Sequence, residues 1–131
     1  MLLRLSLAAL CFAAASASVS AQVPDFYDEQ AYRTIYLQFN QANWWSLLVQ
    51  NYGPEIDIPA DMTVDGVTYP NCGVRFRGNT SYTMLPPGSE KKSFNIRTDA
   101  FVAGQDLYGY DNLNLNNGFH DPTFIREFLT Y

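Results

Sequence analysis

Apolar and polar residues change period several times along the chain, and each change marks an element. Thr34 to Phe39 alternates Ile35, Leu37 and Phe39 with Thr34, Tyr36 and Gln38, which predicts a half-buried strand. Asn43 then reads as a helix N-cap. Trp44, Leu47, Leu48 and Asn51 recur at helical spacing until Gly53 and Pro54 stop the run. Asp65-Gly66 lies between β-prone residues of Met62 to Tyr69, the signal of a hairpin with a two-residue turn. Cys72, Val74 and Phe76 alternate with Gly73, Arg75 and Arg77 in a further strand. Gly78 to Gly88 is rich in Gly, Pro, Asn, Ser and Thr and reads as a loop.

Beyond the loop, Lys92, Phe94 and Ile96 share one strand face, and Lys91, Ser93, Asn95 and Arg97 share the other. Leu113 and Leu115 alternate with Asn112, Asn114 and Asn116 in a short strand. Asp121-Pro122 is a cap followed by Pro at the first helical position, and Phe124, Ile125, Phe128 and Leu129 form an apolar stripe behind it. The pattern predicts an α+β fold, mostly antiparallel sheet with two or three helices. The last helix starts clearly and has no stop signal before Tyr131, so the chain reads as the N-terminal piece of a longer protein.

One apolar stretch belongs to no folded element. Arg4 precedes a run from Leu5 to Ala15, and small residues end in Val19-Ser20-Ala21, which predicts a secretory signal over residues 1–21 with cleavage before Gln22. The run is too short for a stable membrane span. Export places the remainder, residues 22–131, outside the cell, at its surface or in a periplasm. It would carry seven basic against thirteen acidic residues, which excludes a generic nucleic-acid binder and a polybasic membrane anchor. Cys72 is then the one cysteine left, so no internal disulfide staples the domain, and alternation with Val74 and Phe76 predicts a buried, inert thiol.

The usual catalytic signatures are missing: no nucleophile elbow, no zinc-type His/Cys spacing and no glycine-rich nucleotide motif. His120 is the single histidine and reads as a turn residue. What remains is a basic cluster in an acidic chain. Arg75, Arg77, Lys91, Lys92 and Arg97 fall within residues 75–97. If their strands pair, several cations converge beside Gly78-Asn79-Thr80-Ser81, where they could neutralise phosphate oxygens. The plainer alternative is a solvated face whose cations pair with Asp61, Asp65 or Asp99. Asn79-Thr80-Ser81 is also a glycosylation sequon in a host that uses one. A different class of function, a secreted carbohydrate- or surface-binding or structural coat module, would draw on Trp44, Trp45, Tyr82, Tyr108 and Tyr110 as stacking platforms.

Four stretches in order, Gly73-Val74-Arg75-Phe76-Arg77-Gly78-Asn79-Thr80-Ser81, Lys91-Lys92-Ser93-Phe94-Asn95-Ile96, Leu113-Asn114-Leu115-Asn116-Asn117 and Asp121-Pro122-Thr123 with Arg126-Glu127, carry a family resemblance. Over roughly residues 25–131 the chain resembles the N-terminal portion of the spore coat protein H (CotH) kinase family. The resemblance implies a divergent small lobe of a protein-kinase-like fold, ATP with Mg2+ or Mn2+ as cofactors, and phosphorylation of Ser or Thr on a protein substrate. It implies a strand lysine on the nucleotide phosphates, Lys91 or Lys92, with Arg77, Arg75 and Asn79 nearby. Arg126 or Glu127 would serve as lysine partner or family motif. Metal-binding and base aspartates would lie after Tyr131, so the catalytic residues are not assigned and the chain alone is expected to be inactive.

Overall fold

The computed structural model describes residues 25–28 and 30–121; the expected signal segment and the expected helix from Pro122 lie outside them. The described fold is α+β. Five strands, β1 (Tyr36–Gln38), β2 (Ile58–Val64), β3 (Val67–Arg77), β4 (Ser93–Arg97) and β5 (Asn112–Leu115), form one antiparallel sheet in chain order. Helix α1 (Trp44–Asn51) joins β1 to β2, and the short helix α2 (Thr80–Thr83) lies between β3 and β4.

Alternation decides which side of the sheet is dry. Ile58, Ala60, Met62 and Val64 of β2 are buried, and the register sets Ile58 against Val74 and Ala60 against Cys72. Val74 pairs with Ile96 and Phe76 with Phe94; Ile96 in turn pairs with Leu113. These side chains form one layer, and α1 covers it with fully buried Leu48 and with Trp45, whose ring meets Phe76 edge-on at 5.0 Å. Deleting a side chain from this layer removes both transfer energy and packing contacts.

The hairpin of β2 and β3 turns at Asp65 (φ 50°) and Gly66 (φ 78°), the two positive angles of a type I′ turn. The two expected segments, Met62–Tyr69 and Cys72–Arg77, are parts of this hairpin, because β3 runs unbroken across Pro70 and Asn71. The register shifts there, two residues of β3 standing opposite Asp61, and Asn71 takes φ 50° while its N–H donates to Asp61 Oδ1 at 2.9 Å. This bulge keeps Tyr69 and Cys72, three apart in sequence, on the same face of the sheet.

Two local expectations change. Asn43 precedes α1 but its side chain caps nothing; at φ −102°, ψ 25° it lacks the extended backbone that aims a cap at the first turn. The helix ends at Asn51, ahead of Gly53 and Pro54 as expected, and the positive φ that follows falls at Glu55 (56°). Residues 80–83, expected as loop, form one helical turn in which Thr83 N–H and Thr83 Oγ1 both reach Asn79 O. The expected thiol burial is observed: Cys72 is free and buried, with Sγ 3.4 Å from Tyr69 O, and burial pushes its thiol pKa up. His120 stands in a turn at φ 58°.

Candidate functional site

The other side of the sheet is polar because β3, β4 and β5 present their alternate residues there: Arg75 and Arg77, Asn95 and Arg97, Asn112 and Asn114. Between this floor, the end of α1 and the turn after β3 lies an open cleft of about 630 Å³. Tyr52, Glu55, Arg75, Arg77, Asn79 and Asn95 border it, with Asn112 and Asn114 completing the floor. Gly78 (φ 91°) makes the corner beside it; a Cβ there would stand 2.1 Å from Ser81 Oγ, so any other residue would displace that hydroxyl and strain the backbone.

The arginines differ in what holds them. Asp57 binds Arg75 at 2.9 Å and Arg97 at 3.4 Å, one carboxylate bridging two guanidinium groups. Asp57 itself sits close because residue 73 is glycine; a Cβ there would meet Ala100 Cβ at 2.5 Å and Asp57 Oδ2 at 3.0 Å. The alternative partners Asp61, Asp65 and Asp99 take no part in these pairs; Asp65 pairs instead with Arg33 at 3.1 Å. Arg77 donates to Asn116 Oδ1 at 2.9 Å and, among the described residues, has no carboxylate partner. Its charge is therefore the least neutralised on the cleft floor.

Asparagines fill the rest of the floor. Asn95 is 4% exposed, and its Nδ2 donates to Asn112 Oδ1 at 2.7 Å and Asn114 Oδ1 at 2.8 Å. Asn95 Oδ1 is buried without a partner. Asn112 and Asn114 are exposed, and their own amide N–H groups remain for a ligand. Sequence reasoning named Asn79 alone among the asparagines; it missed Asn95, Asn112 and Asn114, although their alternation with Phe94, Ile96, Leu113 and Leu115 was the available signal.

The structure does not bring all five expected cations to one place. Arg75 and Arg77 border the cleft with Asn79, whereas Arg97 is held on Asp57. Lys92 extends on the opposite side: its Nζ lies 4.1 Å over the Tyr82 ring and 3.4 Å from Tyr82 O. Tyr82 stacks on Tyr52 at 3.5 Å, so one aromatic pair separates Lys92 from the cleft. Burial, then the neighbouring Tyr52, push the Tyr82 phenol pKa up, and the ring stays neutral under the ammonium. Lys91 is exposed, and its carbonyl accepts from Asn117 Nδ2 at 3.0 Å. Arg126 and Glu127 lie outside the described residues.

The aromatic residues considered as sugar platforms are engaged internally. Trp44 stacks on Phe39 at 4.7 Å, and Trp45 meets Phe76 edge-on. Tyr108 donates to Asp65 at 2.7 Å, and Tyr110 packs edge-on against Tyr27 at 4.9 Å. Among the described residues no three His, Cys, Asp or Glu side chains come together to hold a metal, and no helix is long and apolar enough to cross a membrane.

The comparisons with curated proteins and with solved structures found no match. A family model does match, over a narrower stretch than the resemblance suggested but one that holds Arg75, Arg77, Asn79, Asn95, Asn112 and Asn114. That model is described as CotH kinase protein, and it matches residues 74–131 of the chain.

Proposed function

We propose that this chain supplies the nucleotide-phosphate-binding part of a secreted CotH-type protein kinase. The parent transfers the γ-phosphoryl group of ATP to Ser or Thr of a surface or coat protein, and the chain alone is inactive. The observation that carries this reading is Arg77: a guanidinium with no carboxylate partner among the described residues, bordering a cleft floored by asparagine amides inside the family-matched stretch. Guanidinium forks and amide N–H groups suit phosphate oxygens. The five-stranded sheet with α1 packed on one face is then a divergent small lobe.

The residues present fit phosphate better than metal. Arg77, Arg75 and Asn79 would hold and orient the phosphates, and the strand lysine, Lys91 or Lys92, would join them in the parent. Lys92 would have to leave the Tyr82 ring to do so. The divalent metal that this reading implies neutralises charge on the transferring phosphoryl group when bound. The described residues bring no ligand cluster for it together, so its carboxylates would come from the rest of the parent.

A radiolabelled-ATP transfer assay tests the reading. The parent should phosphorylate a Ser/Thr-containing coat or surface protein, and this chain alone should transfer nothing. A parent without transfer activity, or robust autophosphorylation by this chain, contradicts it. Separate Lys91→Ala and Lys92→Ala substitutions in the parent identify the strand lysine: loss of a charge-assisted phosphate contact should weaken ATP binding about ten- to a hundredfold.

A further inference from the structure

The apolar side of the sheet is not evenly covered. Leu37 stands opposite Met62 and Phe94 opposite Phe76, so both belong to the side on which α1 packs. Met62 and Phe76 are at most 1% exposed, whereas Leu37 and Phe94 are only partly buried, as is Leu115 beside Phe94. A groove of about 550 Å³ lies between them, with Leu37, Phe39, Trp44 and Phe94 as its apolar lining.

The described chain ends beside this groove. Asn117 ties the chain leaving β5 to the start of β4: its N–H donates to Ser93 Oγ at 3.1 Å and its Nδ2 to Lys91 O at 3.0 Å. Asp121 then borders the same small hollow as Ser93, the residue before Phe94. Residues 122–131 follow directly, outside the described residues, and carry the stripe Phe124, Ile125, Phe128 and Leu129 that the sequence predicts for one side of a helix. A ten-residue helix spans about 15 Å. The three interstrand steps from β4 to β1 span about 14 Å.

We infer that residues 122–131 occupy this groove, with Phe124, Ile125, Phe128 and Leu129 laid on Leu37, Phe39, Trp44 and Phe94. The tether favours this occupant over a second copy of the chain. No spacer separates Asp121 from the stripe, so docking is intramolecular, at an effective concentration on the order of millimolar. The run from Leu5 to Ala15 is apolar too, but it stands ahead of the expected cleavage site. The inference is independent of the phosphate reading of the cleft, which lies on the other side of the sheet.

Nuclear Overhauser spectroscopy of the full chain, methyl-labelled at isoleucine and leucine, reads the contact directly. Cross-peaks from the Ile125 and Leu129 methyl groups to the Trp44 and Phe94 rings are the expected result. Their absence overturns the inference, and this measurement needs no variant to fold. Cross-peaks to those rings from Leu5, Leu7 or Leu10 instead would give the groove to the expected signal segment. Cross-peaks found only between differently labelled copies in a mixed sample would give it to a second copy, and either result overturns the inference. Ile125→Asp puts a charge on the stripe; it should erase the Leu129 cross-peaks and raise acrylamide quenching of tryptophan fluorescence. Thr130→Asp, on the opposite side of the same helix, should do neither. Equal effects from the two substitutions, or no effect from Ile125→Asp, also overturn it.

Discussion

The two faces of the sheet come from the same strands and are held by different physics. On one face, Val74, Phe76, Ile96 and Leu113 are at most 1% exposed, and α1 packs against β2 and β3. Apolar burial is non-directional, so that face follows from alternation alone. On the other face, Arg75, Arg77, Asn95, Asn112 and Asn114 depend on direction and partner. Asp57 fixes two arginines, three asparagines share one donor group, and one buried acceptor is left over. The first face supplies stability; the second gives up some of it to keep polar groups in a defined array. Satisfied networks specify a structure, and a buried acceptor without a donor costs stability.

The sharpest break of the apolar face is Phe76→Ala. The ring is 1% exposed and touches Trp45, Tyr82 and Phe94, so its loss should cost about 3–5 kcal/mol in urea denaturation. On the polar face, Asp57→Ala leaves Arg75 and Arg97 without their shared carboxylate. It should cost roughly 1–3 kcal/mol, less at high salt because Arg97 is partly exposed. A salt-independent loss would mean that Asp57 acts by packing against Gly73. Lys92→Ala removes the cation over Tyr82 and should cost about 0.5–2 kcal/mol.

The smallest effect sharpens the comparison through pH. Burial, the largest cause in each case, raises the pKa of the Cys72 thiol and of the Tyr69 and Tyr82 phenols. The folded chain therefore holds these protons more tightly than the unfolded chain. Their contribution is fully present below the unfolded values, near about 8.5 for a thiol and about 10 for a phenol, and is lost as pH rises through the folded values. Urea midpoints should fall between neutral pH and pH about 10.5, and Cys72→Ala should flatten the thiol part of that fall. A midpoint constant over this range contradicts burial of these groups. Native thiol labelling of Cys72 should likewise be slow.

Legibility followed the same division. Strands β1, β3, β4 and β5, the Met62 end of β2, the Asp65-Gly66 turn, α1 and buried Cys72 were readable because burial imposes a period that sequence records, whereas Ile58–Asp61 was not read as strand. The bulge at Pro70-Asn71 was not, since it depends on Asp61 receiving the Asn71 N–H across the hairpin. The pairing of Arg75 and Arg97 was misassigned to other aspartates because Asp57 is 18 residues from Arg75 in the chain and meets it only through the hairpin register. Lys92 could be placed on the Phe94 side by alternation. Its seat on Tyr82 could not be read, because it depends on the fold of residues 80–83.

The measurement that tests the polar face most directly is an ATP titration of the parent protein and its Arg77→Gln variant. Gln keeps the first part of the stem and a hydrogen-bonding amide while removing the charge that has no carboxylate partner among the described residues. If that guanidinium holds nucleotide phosphate, ATP affinity falls about ten- to a hundredfold while the urea midpoint stays near that of the unsubstituted protein. Unchanged ATP affinity in a folded Arg77→Gln protein would contradict the account and leave the arginine face as a solvated surface.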